Sequence, residues 1–242
     1  MKNVILVIFY FHLVVDSFSQ IQFTEKKISF TFNGTKHEPG YYFDALYPQF
    51  ADTSAFFIKL NDSISKLCQI TVDTFEYQQR IYEAEDDTSH EYDNYNTYPE
   101  EENNDYTIRF NKNNFLSFEI VKTWHAGGGG TGGSALIYCF NIDVKKKEFL
   151  NFDSFFKKEK INAVSDLCDK KLTEQANIDA PDTTKYLSSY FSDILFTDKS
   201  MIAVYYWYPS GSKFYFATAE IPLEELIQYF ISEKKKLFFT KK

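Results

Sequence analysis

"FLSFEIVKTWHAGGGGTGGSALIYCFNID", Phe115 to Asp143, decides the fold. Two β-prone runs, FLSFEIVKTW and SALIYCFNID, flank the glycines Gly127, Gly128, Gly129, Gly130, Gly132 and Gly133. A phosphate-cradling loop needs Lys-Ser/Thr after its glycines, and a dinucleotide site needs a helix there. Here Gly133 runs into Ser134-Ala135-Leu136 and a strand, which contradicts both. The glycines therefore read as a turn between strands, at a place that requires positive φ or close backbone approach.

Outward from this pair, the alternating run YTIRF and the break NKNN precede Phe115, which signals a β-hairpin. Further upstream, KKISFTFNG alternates Ile28, Phe30 and Phe32 against polar neighbours, and YYFDALYPQF is a second extended stretch closed by Pro48. Between about Ser54 and Gln79 the period becomes helical, with Leu60, Ile64, Leu67, Cys68, Val72 and Phe75 on one face. Downstream, the turn from Asp143 to Lys147 leads to a short strand, and FDSFFKK and INAVSDLCDKKLTEQ read as helices, with a further turn or two of helix in KYLSSYF. DILFT, MIAVYYWY and KFYFATAEI are strands, the last two joined by PSGS, and PLEELIQYFISEKKK is a closing helix with Pro222 at its start. Strands outnumber helices and are joined mostly by hairpins. The class is α+β, an antiparallel sheet packed by a few helices, in two small domains or one composite domain.

Residues 1–19 carry Lys2, an apolar stretch from Val4 to Val15, and small residues at Ser17 and Ser19. That is the pattern of a secretory signal peptide cleaved before Gln20, and its apolar part of about twelve residues is short for a bilayer span. An exported protein without stable membrane insertion, periplasmic or secreted, is expected.

The net charge is −8, yet ten acidic residues and no Lys or Arg lie between Glu83 and Asp105. Without those ten the chain is slightly positive, at +2, so acidity is one local feature and a nucleic-acid partner is not expected. Cys68, Cys139 and Cys168 fit no metal-ligand spacing. Cys139 and Cys168 are the pair expected if a disulfide forms; otherwise all three are small buried hydrophobes.

The stretch from Phe115 to Phe156 resembles the C-terminal domain of the RsiV-type anti-sigma factors, in which a Gly-Gly turn leads into a strand ending in a Phe-Asn/Asp pair, here Phe140-Asn141. ILFTDKSMIAVYYWYPSGSKFYFATAEIPLEEL is similar to that family's closing hairpin, which ends in Ile-Pro before a helix, here Ile221-Pro222. YPQFADTSAFFIKLNDSISKL, with Leu60-Asn61 in its helix, resembles the domain preceding it there and in the PdaC-type peptidoglycan deacetylases. The resemblance spans Lys26 to Phe230 and implies a PdaC-like domain over 20–106, including an acidic loop at 83–105, and an RsiV-like domain over 107–242. The family turn reads Gly-Gly-Ala-His-Gly, whereas His125 here precedes the glycines, so no role transfers to it.

A thiol or hydroxyl nucleophile at Cys139 or Ser134 with His125 as base lacks a third group to orient the base. The scattered histidines offer no transition-metal site, and no cofactor is expected. Glycan chemistry would require two converging acids, such as Asp143 and Glu148 or Asp193 and Glu220, with one pKa raised. The aromatic run YYWYPSGSKFYF would serve sugar stacking, although period-two alternation sends half of it inward. The favoured reading is a non-catalytic binding protein of the cell envelope. Its partner-binding residues are Glu83, Asp86, Asp87, Tyr92, Asp93, Tyr95, Tyr98, Glu100, Glu101 and Glu102, where carboxylates attract a cationic protein and tyrosines supply contact area. The resemblance points to lysozyme, because the RsiV-type domain is a lysozyme receptor. The alternative is a peptidoglycan- or carbohydrate-binding module, or an accessory to a glycan-acting enzyme.

Overall fold

The structure, a computed structural model, describes residues 20–32, 41–68, 100–125, 133–175, 191–207 and 215–239. Nine strands appear among them: β1 (Phe23–Phe32), β2 (Tyr41–Phe50), β3 (Glu100–Lys112), β4 (Phe115–His125), β5 (Gly133–Asp143), β6 (Glu148–Phe149), β7 (Phe191–Phe196), β8 (Ser200–Trp207) and β9 (Tyr215–Pro222). The helices are α1 (55–68), α2 (Ile161–Gln175), α3 (Leu223–Leu226) and α4 (Ser232–Phe238). Strands β1 to β6 form one sheet in chain order, and β7-β8-β9 form a second. The fold is α+β and mostly sheet.

The first sheet is mixed, not purely antiparallel. β1 and β2 pair antiparallel, but β2 and β3 pair parallel, Tyr41 opposite Glu100 through Ala45 opposite Asn104. A parallel neighbour requires a long crossover, and the connection after β2 contains α1. Pro48 does not close β2. It sits within the strand, opposite Glu25 of β1 and past the last residue that pairs with β3, where the missing N–H interrupts only one ladder.

Two compact units emerge. The first comprises 22–105 with 121–134, and the second 106–120 with 135–242, so β3 and β4 each run from one unit into the other. In the first unit α1 buries Phe57, Leu60, Ile64 and Cys68, a stripe at helical spacing. Asn61, the polar member of Leu60-Asn61, binds the backbone of Phe50 twice, accepting from its N–H at 2.9 Å and donating to its carbonyl at 2.8 Å. That pairing fixes α1 to the end of β2 as a strand neighbour would.

In the second unit the β3–β4 turn is Asn113-Asn114, with φ of 56° and 57°. Both central residues of a two-residue type I′ hairpin need positive φ, which asparagine tolerates better than most residues. The core beneath it is built from phenylalanines. Phe115 meets Phe110, Phe155, Phe196 and Phe238 at centroid distances of 5.4 to 5.7 Å. Each such pair adds about 0.5–1.5 kcal/mol to the burial of its area. α2 buries Val164, Cys168 and Leu172 at i, i+4, i+8 spacing.

Two sequence expectations are corrected here. FDSFFKK is not a helix but a 3₁₀ turn at Phe152–Ser154 capped reciprocally by Asn151 and Ser154. The closing helix is interrupted between α3 and α4. Phe230 makes a bridge to Phe156 and stacks on it at 5.1 Å, while Lys157 N–H donates to the Tyr229 carbonyl and Ile231 N–H to the Phe155 carbonyl. Burying Phe230 fully and pairing this extended segment overrides the helical period that the sequence shows. Of the two outcomes open for the cysteines the structure has the unpaired one: all three are free, with Cys68 and Cys168 buried and Cys139 half-buried. The KYLSSYF segment before Phe191, residues 185–190, lies outside the described residues, as does the PSGS connection.

Candidate functional site

In the first unit β3 has two chemically different faces. Glu101, Asn103 and Asp105 are exposed, and on β2 the exposed Tyr42 and Asp44 stand opposite Glu101 and Asn103. This outer face carries Glu101, Asp105, a tyrosine, and Asp44 paired with Lys27 of β1 at 3.6 Å. The inner face holds Glu102 and Asn104, both buried, beside Tyr41, Phe43 and Ala45. Glu102 accepts a hydrogen bond from the Tyr41 hydroxyl at 3.1 Å and pairs with the Lys122 ammonium at 2.7 Å. Asn104 donates weakly to the Cys68 sulfur at 3.8 Å, and its buried Oδ1 has no partner among the described residues.

This arrangement corrects the acidic loop of 83–105. Residues 100–105 are strand, and Glu102 is an interior residue with its charge already paired, so it does not belong to a docking surface. Glu101 remains on the surface, and Glu100 occupies the first position of β3. Glu83, Asp86, Asp87, Tyr92, Asp93, Tyr95 and Tyr98 lie outside the described residues, as do Gly127, Gly128, Gly129, Gly130 and Gly132. Gly133 opens β5. A Cβ there would come within 2.7 Å of His125 Nδ1 and 3.0 Å of the Trp124 carbonyl, so this glycine answers to close approach.

In the second unit a cluster of ionisable groups surrounds Cys139. Glu119, buried in β4, is paired with the Arg109 guanidinium at 2.5 Å. Asp193 on β7 accepts a hydrogen bond from the Ile194 N–H at 2.8 Å, and burial pushes its carboxyl up to about 6. Burial, reinforced by Asp193 and Glu119, holds the Cys139 thiol far above its usual range. The Tyr206 hydroxyl donates to the Ile137 carbonyl. The raised Asp193 carboxyl and the Arg109-paired Glu119 are not in contact in any hydrogen bond or ion pair of the described residues. A thiol so strongly favouring its protonated form is a poor nucleophile. Cys68 is pushed to about 11 and Cys168 to about 12, again chiefly by burial.

The acid pairs expected from sequence do not form this arrangement. Glu220 binds the Ser200 hydroxyl and lies two strands and two residues from Asp193 in the β7-β8-β9 register. Asp143 and Glu148 do face each other across β5–β6, but Asp143 is buried against Lys234 and Glu148 is exposed beside Lys146. The member the sequence reading missed is Glu119. Its local signal is a charge set in an otherwise apolar strand run, and Asp193, which also acts on Cys139, is far along the chain.

Of the aromatic run that was considered for sugar stacking, Tyr205 is fully buried and hydrogen-bonded to Asp169 at 2.9 Å. Residues 208–214 lie outside the described residues. Among the described residues no group of three or more His, Cys, Asp or Glu is placed to hold a metal ion, and no helix is long and apolar enough to cross a membrane.

No protein-family model matches the chain, and no curated protein matches it. Solved structures do. A DUF3298 family member from Bacteroides fragilis NCTC 9343 aligns with a TM-score of 0.65 at 13% identity, over 93% of this chain and 99% of its own. The chain has the DUF3298 fold. A DUF3298 family protein from Pseudomonas aeruginosa PAO1 aligns with a TM-score of 0.58 at 12% identity, over the same shares of each chain. Identities this low carry the fold and nothing of ligand or activity.

Proposed function

We propose that the chain is an exported, non-catalytic binding protein of the cell envelope that captures a cationic protein, with lysozyme as the representative partner. The reading rests on the resemblance to RsiV-type and PdaC-type domains and on one structural observation. The outer face of β2 and β3 presents Tyr42, Asp44, Glu101 and Asp105, with Asp44 paired to Lys27 of β1 at 3.6 Å, and β3, which carries Glu101 and Asp105, directly continues the acidic run of residues 83–99. Charges on a folded sheet are held in place, so they steer an incoming cation without the ordering cost of a free segment. Tyr42, 44% exposed, supplies contact area beside Glu101 at one end of the acidic row.

The test is equilibrium binding of the mature chain, Gln20 to Lys242, to immobilised lysozyme at about 50 mM and about 500 mM salt, where the screening length falls severalfold. A companion variant carries Glu101→Gln, Asp105→Asn and neutralised acids over 83–99. The full segment 83–105 is not deleted, since that would remove half of β3. Binding that weakens with salt and is lost in the variant supports the proposal. Salt-insensitive retention on peptidoglycan, with no lysozyme binding, replaces it with the glycan-binding alternative.

A further inference from the structure

The second unit contains an open cleft of about 680 Å³ between the end of α2, the β7–β8 turn, α3 and the end of α4. Its volume lies in the range of small-molecule sites. Several of its charges are already engaged. Asp198 pairs with Lys112 at 2.5 Å, Lys171 with Glu225 at 3.0 Å, and Glu220 binds Ser200. Gln175 is spent on the backbone of Glu220, donating at 2.7 Å and accepting at 2.8 Å.

Two lining charges of opposite sign are different. The Lys199 ammonium and the Glu224 carboxylate are exposed and have no ionic partner among the described residues. Apolar wall is supplied by Phe238, Phe239 and Leu223. A ligand bearing only an anion would leave Glu224 unmatched, and one bearing only a cation would leave Lys199 unmatched. Lys199 and Leu223, the residue before Glu224, are joined by a backbone hydrogen bond at 2.9 Å, and both charges are answered by a molecule that carries both signs on an apolar body.

We infer that this cleft is a binding site for a small zwitterion with an apolar side chain, an α-amino acid or a short peptide, with Lys199 meeting the carboxylate, Glu224 the ammonium, and Phe238 and Phe239 the side chain. This site is independent of the acidic face of the first unit.

The experiment is titration calorimetry of the mature chain with L-phenylalanine, L-alanyl-L-phenylalanine, N-acetyl-L-phenylalanine and L-phenylalaninamide. At least one of the two zwitterions should bind saturably, and the tighter of them identifies a free amino acid or a peptide as the source. The acetylated and amidated forms should bind at least about tenfold more weakly, because each lacks one charge-assisted contact. Lys199→Met and Glu224→Gln should each weaken the zwitterion by a similar factor with the melting temperature unchanged, since both side chains are exposed. Failure of all four compounds to saturate by about 10 mM, beyond the millimolar range of weak ligands, overturns the inference. So does equal affinity for charged and blocked forms, or full affinity in both variants.

Discussion

Ser117 and Asn141 in the second unit, and Glu102 and Asn104 in the first, are all buried polar residues on strands, and they are used differently. Asn141 donates to the Ile194 carbonyl at 2.7 Å and accepts from the Ser117 hydroxyl at 2.8 Å, while that same hydroxyl accepts from Phe196 N–H at 2.9 Å. These neutral side chains catch the backbone of β7 and fix where the second sheet docks. In the first unit the network of Glu102, Lys122, Tyr41 and Asn104 joins a carboxylate, an ammonium, a phenol and an amide, and Asn104 Oδ1 has no partner among the described residues. A satisfied neutral network specifies a fold, whereas a charged and incompletely satisfied one is a place where a protein departs from folding rules for another reason. The first unit is also where the acidic outer face lies.

The contrast can be broken most forcefully at the charged cluster. Lys122→Met strands the Glu102 carboxylate, which is 8% exposed, and should cost about 3 kcal/mol or more. The double variant with Glu102→Gln should recover part of that loss in chemical denaturation. A single variant within about 0.5 kcal/mol of the parent would show that the pair is not buried in solution. Next in size, Asn141→Ala leaves the Ile194 carbonyl and the Ser117 hydroxyl unmatched at a cost of about 2–4 kcal/mol. Asn104→Leu should by contrast be near neutral, because it removes an acceptor with no partner among the described residues and only a long donor contact to the Cys68 sulfur at 3.8 Å. Equal losses at 104 and 141 would erase the distinction between the two networks.

Asp193 sharpens the comparison within the second unit. The folded state holds its proton up to about pH 6, against 3.8 in the unfolded chain, so its contribution is complete below about pH 4 and is lost as pH rises to about 6. Asp193→Asn should therefore stabilise the protein by roughly 1–3 kcal/mol at pH 7–8, have little effect at pH 4, and flatten the stability profile between them. A profile unchanged by the substitution would mean that Asp193 is solvated. The smallest effect on folding is expected at the outer face, where Glu101→Gln with Asp105→Asn should shift stability by less than about 0.5 kcal/mol.

The elements with the clearest local pattern were legible before the structure. α2 spans the segment whose apolar spacing announced it, and the Asn113-Asn114 hairpin lies within the turn-rich break. What escaped reading depends on distant partners. The parallel β2–β3 pair is set by a crossover whose length hides the neighbour. The break at Phe230 exists because Phe156, 74 residues earlier, offers a stacking surface and a bridge. Glu102 looked like its acidic neighbours in sequence, and only the alternation of β3, beginning at Glu100, turns it inward towards Tyr41 and Lys122. Glu119 and Asp193 are brought to Cys139 by strands of two different sheets, an association that no local spacing records.

The most direct measurement of the central claim is the association rate of the mature chain with lysozyme as a function of ionic strength, for the parent and for Glu101→Gln with Asp105→Asn. A fixed acidic face predicts a rate that falls steeply with salt and a severalfold slower, less salt-sensitive rate in the variant. Identical rates and slopes for the two proteins, or no association at low salt, would contradict it.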